Sequence, residues 1–547
     1  MDEAPSTVSG NLIDVVAGEV YPATITIDDG RIAHVERESR HYDSFLVPGL
    51  VDAHVHVESS MLVPSEFARV AVTHGTTATV SDPHEIANVL GIDGVDYMID
   101  NGRCTPFRFH FGAPACVPAT DFETAGGRLD PEQVEALLAR PEVLYLSEMM
   151  NVPGVIRGDP AVHAKLAAAR RHGKPVDGHA PGLRGAALAA YVAAGIQTCH
   201  ETLTLDEGRE KARFGMKLLV REGSAARNLD ELLPLIEEFP DRCMLCSDDL
   251  HPHDLVRGHI DDMLRRGVAA GLDPLVLLRC ATLNPARHYG LGIGLLQTGD
   301  AADFLRIDGL DGFHVLETRI GGRPVARDGR TLLPRRPGAA VNRFHARRLS
   351  TEDLAVPDRS RPIEVIGVRE GQLVTERLTL EPSARDGRLV ADPARDLLKL
   401  VVFNRYQPDA APAVGFIQGF GLKQGALASS VAHDSHNIVA AGASDEDLVR
   451  AINRIVDHRG GLAAVAGPLD ETLPLPVAGI MSDDDGWRVA ERYAALDRIA
   501  RELGSPLAAP FMTLSFMALL VIPALKLSDR GLFDGERFAF TGLHREP

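Results

Sequence analysis

No cysteine follows Cys280 in this chain of 547 residues, and the six that occur, Cys104, Cys116, Cys199, Cys243, Cys246 and Cys280, are scattered. That pattern excludes a disulfide framework, which crowds cysteines into a short chain. Cys243 and Cys246 have the spacing of a zinc or redox pair, but no second pair accompanies them. Met244 and Leu245 between them read as a buried strand. A basic excess is also missing: the formal net charge is -19. Nucleic-acid partners need a basic face, so a small or neutral ligand fits better. The longest apolar stretch, Phe511 to Leu525, is broken by Thr513, Ser515 and Pro523 and is too short to span a bilayer. The acidic start, Met1 to Thr7, has no apolar signal core, so the expectation is a cytoplasmic protein with no membrane partner. Solenoid repeats and low-complexity runs are absent as well.

What is present suits two or three domains with real cores, since 45% of the residues are hydrophobic. Asp28-Asp29-Gly30 joins two short β-like runs, Thr24–Ile27 and Arg31–Val35, into an expected hairpin. Similar runs return at Ala302–Ile307 and Arg319–Val325, so residues 1–47 and 299–340 are expected to form one small β-sandwich domain. From 48 to 298, short apolar runs alternate with helical segments, the pattern of β/α units. Expected strands end near His54, Val80, His110, Glu148, Asp177, Cys199, Leu219 and Ser247. Eight units in that length make a TIM-like (β/α)8 barrel, with its active site at the C-terminal strand ends. Asp130 and Pro131 open an expected helix to Arg140. Residues 345–547 read as a separate α+β domain, with a strand at Leu398–Phe403 and a helix from Glu446 to Val456.

The chemistry gathers at those strand ends. His54 and His56 lie two apart on a strand, so both imidazoles face one way and can reach one metal. Glu148, His179, His200 and Asp248 each follow another expected strand. Any one of them alone would pass for a helix cap, but together they point into one barrel mouth. Three to four imidazoles with two carboxylates suit a pair of divalent transition metals, whereas calcium or magnesium would demand oxygen ligands. Glu58, Ser59 and Ser60 could touch substrate or cap the next helix. Asp82, His84 and Glu85 could support the cluster, form a further metal site, or be structural. Glu201 and Arg221 could hydrogen-bond a substrate. His433, Asp434 and His436 are far along the chain, and their spacing does not show whether they reach the barrel.

Taken together, these motifs resemble the bacterial adenine deaminases of the amidohydrolase superfamily, over nearly the whole chain. The resemblance runs through Pro48-Gly-Leu-Val-Asp-Ala-His-Val-His-Val-Glu-Ser-Ser-Met61, Ser81-Asp-Pro-His-Glu-Ile-Ala-Asn-Val-Leu-Gly91, Ser147-Glu-Met-Met-Asn-Val-Pro-Gly154, Asp177-Gly-His-Ala-Pro-Gly182, Cys199-His-Glu201, Arg221-Glu-Gly-Ser224, Ser247-Asp-Asp249, Val431-Ala-His-Asp-Ser-His-Asn437, Leu473–Met481 and Leu514-Ser-Phe516. It implies hydrolytic deamination of adenine to hypoxanthine and ammonia, a purine-salvage step, by a metal-activated hydroxide at a binuclear centre. The implied ions are Mn2+ or Fe2+, with Zn2+ as a third choice, and the implied assembly is a homodimer. Carried over by position, His54 and His56 would hold one ion and His179 and His200 the other. Glu148 would bridge them, and Asp248 would ligate and shuttle protons. Glu58, Ser59, Glu201 and Arg221 would contact substrate. Cys199 departs from the small polar residue or Asp expected before His200, which bears on the surroundings of that ligand. Two other enzymatic readings compete: a deaminase of a related aminopurine and a dihydropyrimidinase-like cyclic-amide hydrolase. The latter typically bridges its metals with a carbamylated Lys, and Val143 to Asn151 contains none. A non-enzymatic barrel would lack ligands, and all six positions are filled.

Overall fold

The computed structural model describes residues 5–544; residues 1–4, which begin the acidic start, and 545–547 lie outside the described residues. Eight strands form the central barrel: Leu50–Val55, Thr76–Ser81, Arg108–Ala113, Val143–Met149, Val176–Gly178, Thr198–Cys199, Lys217–Arg221 and Cys243–Cys246. Helices separate them, so neighbouring strands run parallel. The first two strands are buried along their full length, as parallel strands covered by helices must be. Pro131–Leu138 is one covering helix, opened by a reciprocal capping box between Asp130 and Gln133. Cys243 and Cys246 are both buried in the eighth strand, and desolvation pushes the Cys243 thiol up to about 12.

The ring closes at two junctions of few bonds. Gln197 N donates to Val176 O at 2.9 Å between the fifth and sixth strands. Asp248 N donates to His54 O at 2.9 Å between the eighth and first, beside a single Val55–Asp248 bridge. The carboxylate of Asp52 reinforces this second seam. It accepts from Ser247 N (3.0 Å), Ser247 Oγ and His54 N (3.3 Å), and lies 2.9 Å from His259 Nε2. Asp52 is fully buried. Asp52→Asn replaces a charged acceptor with an amide that must turn an N–H toward donors. It should cost about 1–3 kcal/mol in denaturant unfolding; an unchanged midpoint would mean the backbone bonds alone hold the seam.

Strands before and after the barrel share one eight-stranded sheet, joined where Phe304–Ile307 pairs antiparallel with Phe45–Pro48. Leu12, Ile25, Ile32, Leu46 and Phe304 fill its core. The hairpin turn lies at Asp29 and Gly30, whose φ values of 44° and 71° are those of a two-residue primed turn.

A second eight-stranded sheet follows, with Leu398–Phe403 near its middle. Val401 and Phe403 pack against Leu448, Ile452 and Ile455 of the helix Asp445–His458. Leu400 and Val402, on the opposite face, join a core shared with barrel residues. Buried on both faces, this sheet seats the C-terminal part of the chain against the barrel. The apolar stretch near the end breaks into a short helix, Pro510–Ser515, a turn and a strand, Leu525–Ser528. Among the described residues, no helix is long and apolar enough to cross a membrane.

Candidate metal centre

His54 and His56 emerge from the end of the first strand, 0% and 3% exposed. His56 Nδ1 lies 3.2 Å from the carbonyl oxygen of Asp82, which suits a ring that donates there and turns Nε2 inward. That Nε2 is 3.2 Å from Asp248 Oδ1 and 3.4 Å from Glu148 Oε1. His54 Nε2 lies 3.5 Å from the same Asp248 oxygen. Glu148, at the end of the fourth strand, presents its other oxygen to His179 Nδ1 at 2.9 Å and His200 Nε2 at 3.2 Å. One carboxylate therefore stands between two groups of imidazoles. All six residues expected as ligands converge, with donor atoms of His54, His56 and Asp248, and of His54, Glu148 and His200, within 4.8 Å of one another.

Burial alone would raise the pKa of Glu148, but His200 and His179 overcome it and hold the carboxyl well below its ordinary range. At Asp248 burial is likewise outweighed, chiefly by Arg221 and His200. Asp248 has φ 56°, a left-handed conformation that Asp tolerates better than most residues with a Cβ, and one that recurs at functional sites. Arg221 clamps Glu201 with two bonds, Nη1 to Oε1 at 2.6 Å and Nη2 to Oε2 at 2.8 Å, and also donates to Asp248 Oδ2. Its Nε, buried, has no partner among the described residues.

Asp82, His84 and Glu85 also reach the centre. His84 Nδ1 lies 3.2 Å from Asp82 Oδ2 and 3.5 Å from Glu148 Oε1. The two oxygens of Glu85 face His433 Nδ1 at 2.6 Å and His436 Nε2 at 2.5 Å, tying the C-terminal segment to the barrel mouth. His433 and Asp434 line the same cavity as Glu148 and Asp248. Their arrival is a tertiary event: Glu85 and His433 are 348 positions apart, and no local pattern encodes that contact. The ring of Phe516 stacks on His433 at 4.8 Å, placing an apolar wall opposite the imidazoles.

Two of the expected substrate contacts lie outside the cavity lining. Glu58 and Ser59 are buried in the short turn Val57–Ser60 and are not part of the cavity wall. Glu58 Oε1 accepts from Ile86 N at 3.2 Å, and Ser59 Oγ donates to Asp249 Oδ1 at 2.5 Å. The turn folds them toward the second and eighth strand loops. Glu201 and Arg221 do line the cavity. The Cys199 thiol lies 3.3 Å from Lys211 Nζ, an ammonium that also donates to Ala180 O at 2.8 Å and Glu207 Oε1 at 2.6 Å, so its partner is the scaffold beneath His179 and His200.

A barrel with a buried His, Asp and Glu donor set at its C-terminal face defines a metal-dependent hydrolase, and residues 45–325 match the amidohydrolase family. Residues 372–539 match the adenine deaminase C-terminal domain. The chain is 54% identical over 98% of its length to an adenine deaminase of Salinibacter ruber, and 50% identical over 98% to one of Methanosarcina acetivorans, covering 98% and 99% of those proteins. Among solved structures, it resembles N-acetyl-D-glucosamine-6-phosphate deacetylase from Mycobacterium smegmatis with a TM-score of 0.46 and 18% identity, over 58% of this chain and 99% of that one. The chain belongs to the adenine deaminase family.

Proposed function

We propose that this protein hydrolyses adenine to hypoxanthine and ammonia. The observation that carries the reading is the convergence of four imidazoles on Glu148 and Asp248 in a buried cavity with an apolar wall, in a chain of this family. The residues fit divalent ions: both ring nitrogens of His54 are buried without a hydrogen-bond partner among the described residues, a costly arrangement that a metal bond to one of them relieves. His54 and His56 would hold one ion and His179 and His200 a second, with Glu148 as their shared ligand, Mn2+ or Fe2+ preferred and Zn2+ as a third choice. Two such ions supply Lewis acidity and a water ionised near neutral pH.

The protein's own groups do the rest. Asp248, held as a carboxylate by Arg221, accepts a proton from the attacking water and returns it to the departing amino group of C6. Glu201 holds Arg221 in place, and the buried Nε of Arg221 is a donor available to the purine. Met512 and Phe516 exclude water from one side of the cavity. A cytoplasmic homodimer completes the reading.

Glu148→Gln tests the central assignment. A neutral amide is a poor bridge between two cations. Metal analysis of the folded variant should give clearly fewer than two ions per chain; full occupancy with normal turnover would exclude Glu148 as the bridge.

A further inference from the structure

The cavity that holds the imidazoles is small, about 50 Å3, room for a few water molecules. A second cavity, of about 280 Å3, lies beside it between the barrel loop at Ser224 and Arg227 and the segments carrying Gln372 and Thr513. Ala225, Leu373 and Phe516 belong to the walls of both. A purine that passes from the second cavity to the imidazoles must cross this shared partition.

Lys526 stands behind that partition. It is fully buried, and its Nζ donates to Leu373 O at 2.8 Å and to Phe516 O at 3.0 Å. Its strand is anchored to the Leu373 segment by Thr375, whose Oγ1 donates to Leu525 O at 2.7 Å. No carboxylate pairs with Lys526 among the described residues, and desolvation lowers its pKa to about 7. An unpaired buried ammonium is expensive, and an apolar side chain would fill the space without that penalty. What the amine adds is one bond to each side of the partition. A neutral amine keeps two N–H groups, so both bonds survive loss of the proton.

We propose that Lys526 is a positioning residue that fixes the gap between Leu373 and Phe516, and thereby decides which 6-substituted purines reach the inner cavity. The proposal rests on the adenine reading above. Its test compares KM and kcat for adenine and N6-methyladenine in full-length, metal-loaded wild type and Lys526→Met. The variant should raise KM for adenine roughly five- to tenfold, the worth of about one net hydrogen bond, with kcat nearly unchanged. Its relative kcat/KM for N6-methyladenine should rise. Leu373→Ala leaves the lysine's carbonyl partner intact but thins the partition, and should relax selectivity in the same direction. Unchanged KM and selectivity in a folded, metal-replete Lys526→Met overturns the proposal, as does an equal loss of kcat on both purines with selectivity preserved. If Lys526→Met does not fold, unchanged selectivity in Leu373→Ala overturns it. A wild type inert on adenine but active on a cyclic amide overturns the functional reading, and this proposal with it.

Discussion

Metal-free protein should release no ammonia from adenine, and re-addition of Mn2+ or Fe2+ should restore turnover. The cavity offers no hydroxyl or thiol nucleophile of its own. Its polar lining consists of imidazoles, carboxylates and one guanidinium, and no serine or cysteine is among the residues that line it. Asp248, the candidate base, is held as a carboxylate but is weakly basic for the same reason: Arg221 and the neighbouring imidazoles outweigh its burial. Such a group cannot ionise ordinary water to a useful extent at neutral pH. It can relay a proton from water already made acidic. Atomic absorption and ammonia release measured on the same samples check this. Activity persisting in verified metal-free protein would remove divalent ions from the reaction.

Asp248→Asn should keep the fold and at least one ion while losing turnover by roughly 10²–10⁴-fold, the usual worth of general acid–base catalysis. The amide preserves shape but accepts no proton. Its neighbour provides the control. Asp249 lies beside Asp248, yet Asp249 Oδ1 accepts from Ser59 Oγ, whereas Asp248 faces His54, His56 and Arg221. Asp249→Asn should therefore cost far less. Loss confined to kcat in Asp248→Asn, with a smaller change in KM, places the defect in the chemical step. The opposite pattern, with Asp249→Asn inert and Asp248→Asn near wild type, would assign the proton relay to the wrong carboxylate.

The barrel and the six side chains that converge at its mouth were legible because both are written locally. A parallel strand reads as an apolar run, and the residue that ends it points into the mouth, so His54, Glu148, His179, His200 and Asp248 announced themselves by position. The helix at Pro131 was legible from its cap, and the strand Leu398–Phe403 from its apolar run. Contacts made across the fold were not legible. Glu85 meets His433 and His436 only because a sheet buried on both faces seats the C-terminal part over the barrel, and sequence spacing carries no trace of that docking. The partners of Arg221 were not legible, because a basic residue at a strand end has no visible partner in one dimension; in three, Glu201 and Asp248 occupy its terminal nitrogens and leave Nε without a partner among the described residues. The placement of Glu58 and Ser59 was not legible either. Their place after His56 suggested the cavity, but a single short turn, closed by Met61 at φ 58°, directs them to neighbouring loops.

The decisive measurement is ammonia release from adenine, adenosine, guanine and cytosine, with ring opening of dihydrouracil followed alongside, by protein reconstituted separately with manganese, iron and zinc. Adenine should be turned over far faster than every other compound, with manganese or iron the best support. Absence of adenine turnover with all three metals, alongside clear turnover of dihydrouracil detected as ring opening, would contradict the reading and return the chain to the cyclic-amide hydrolases.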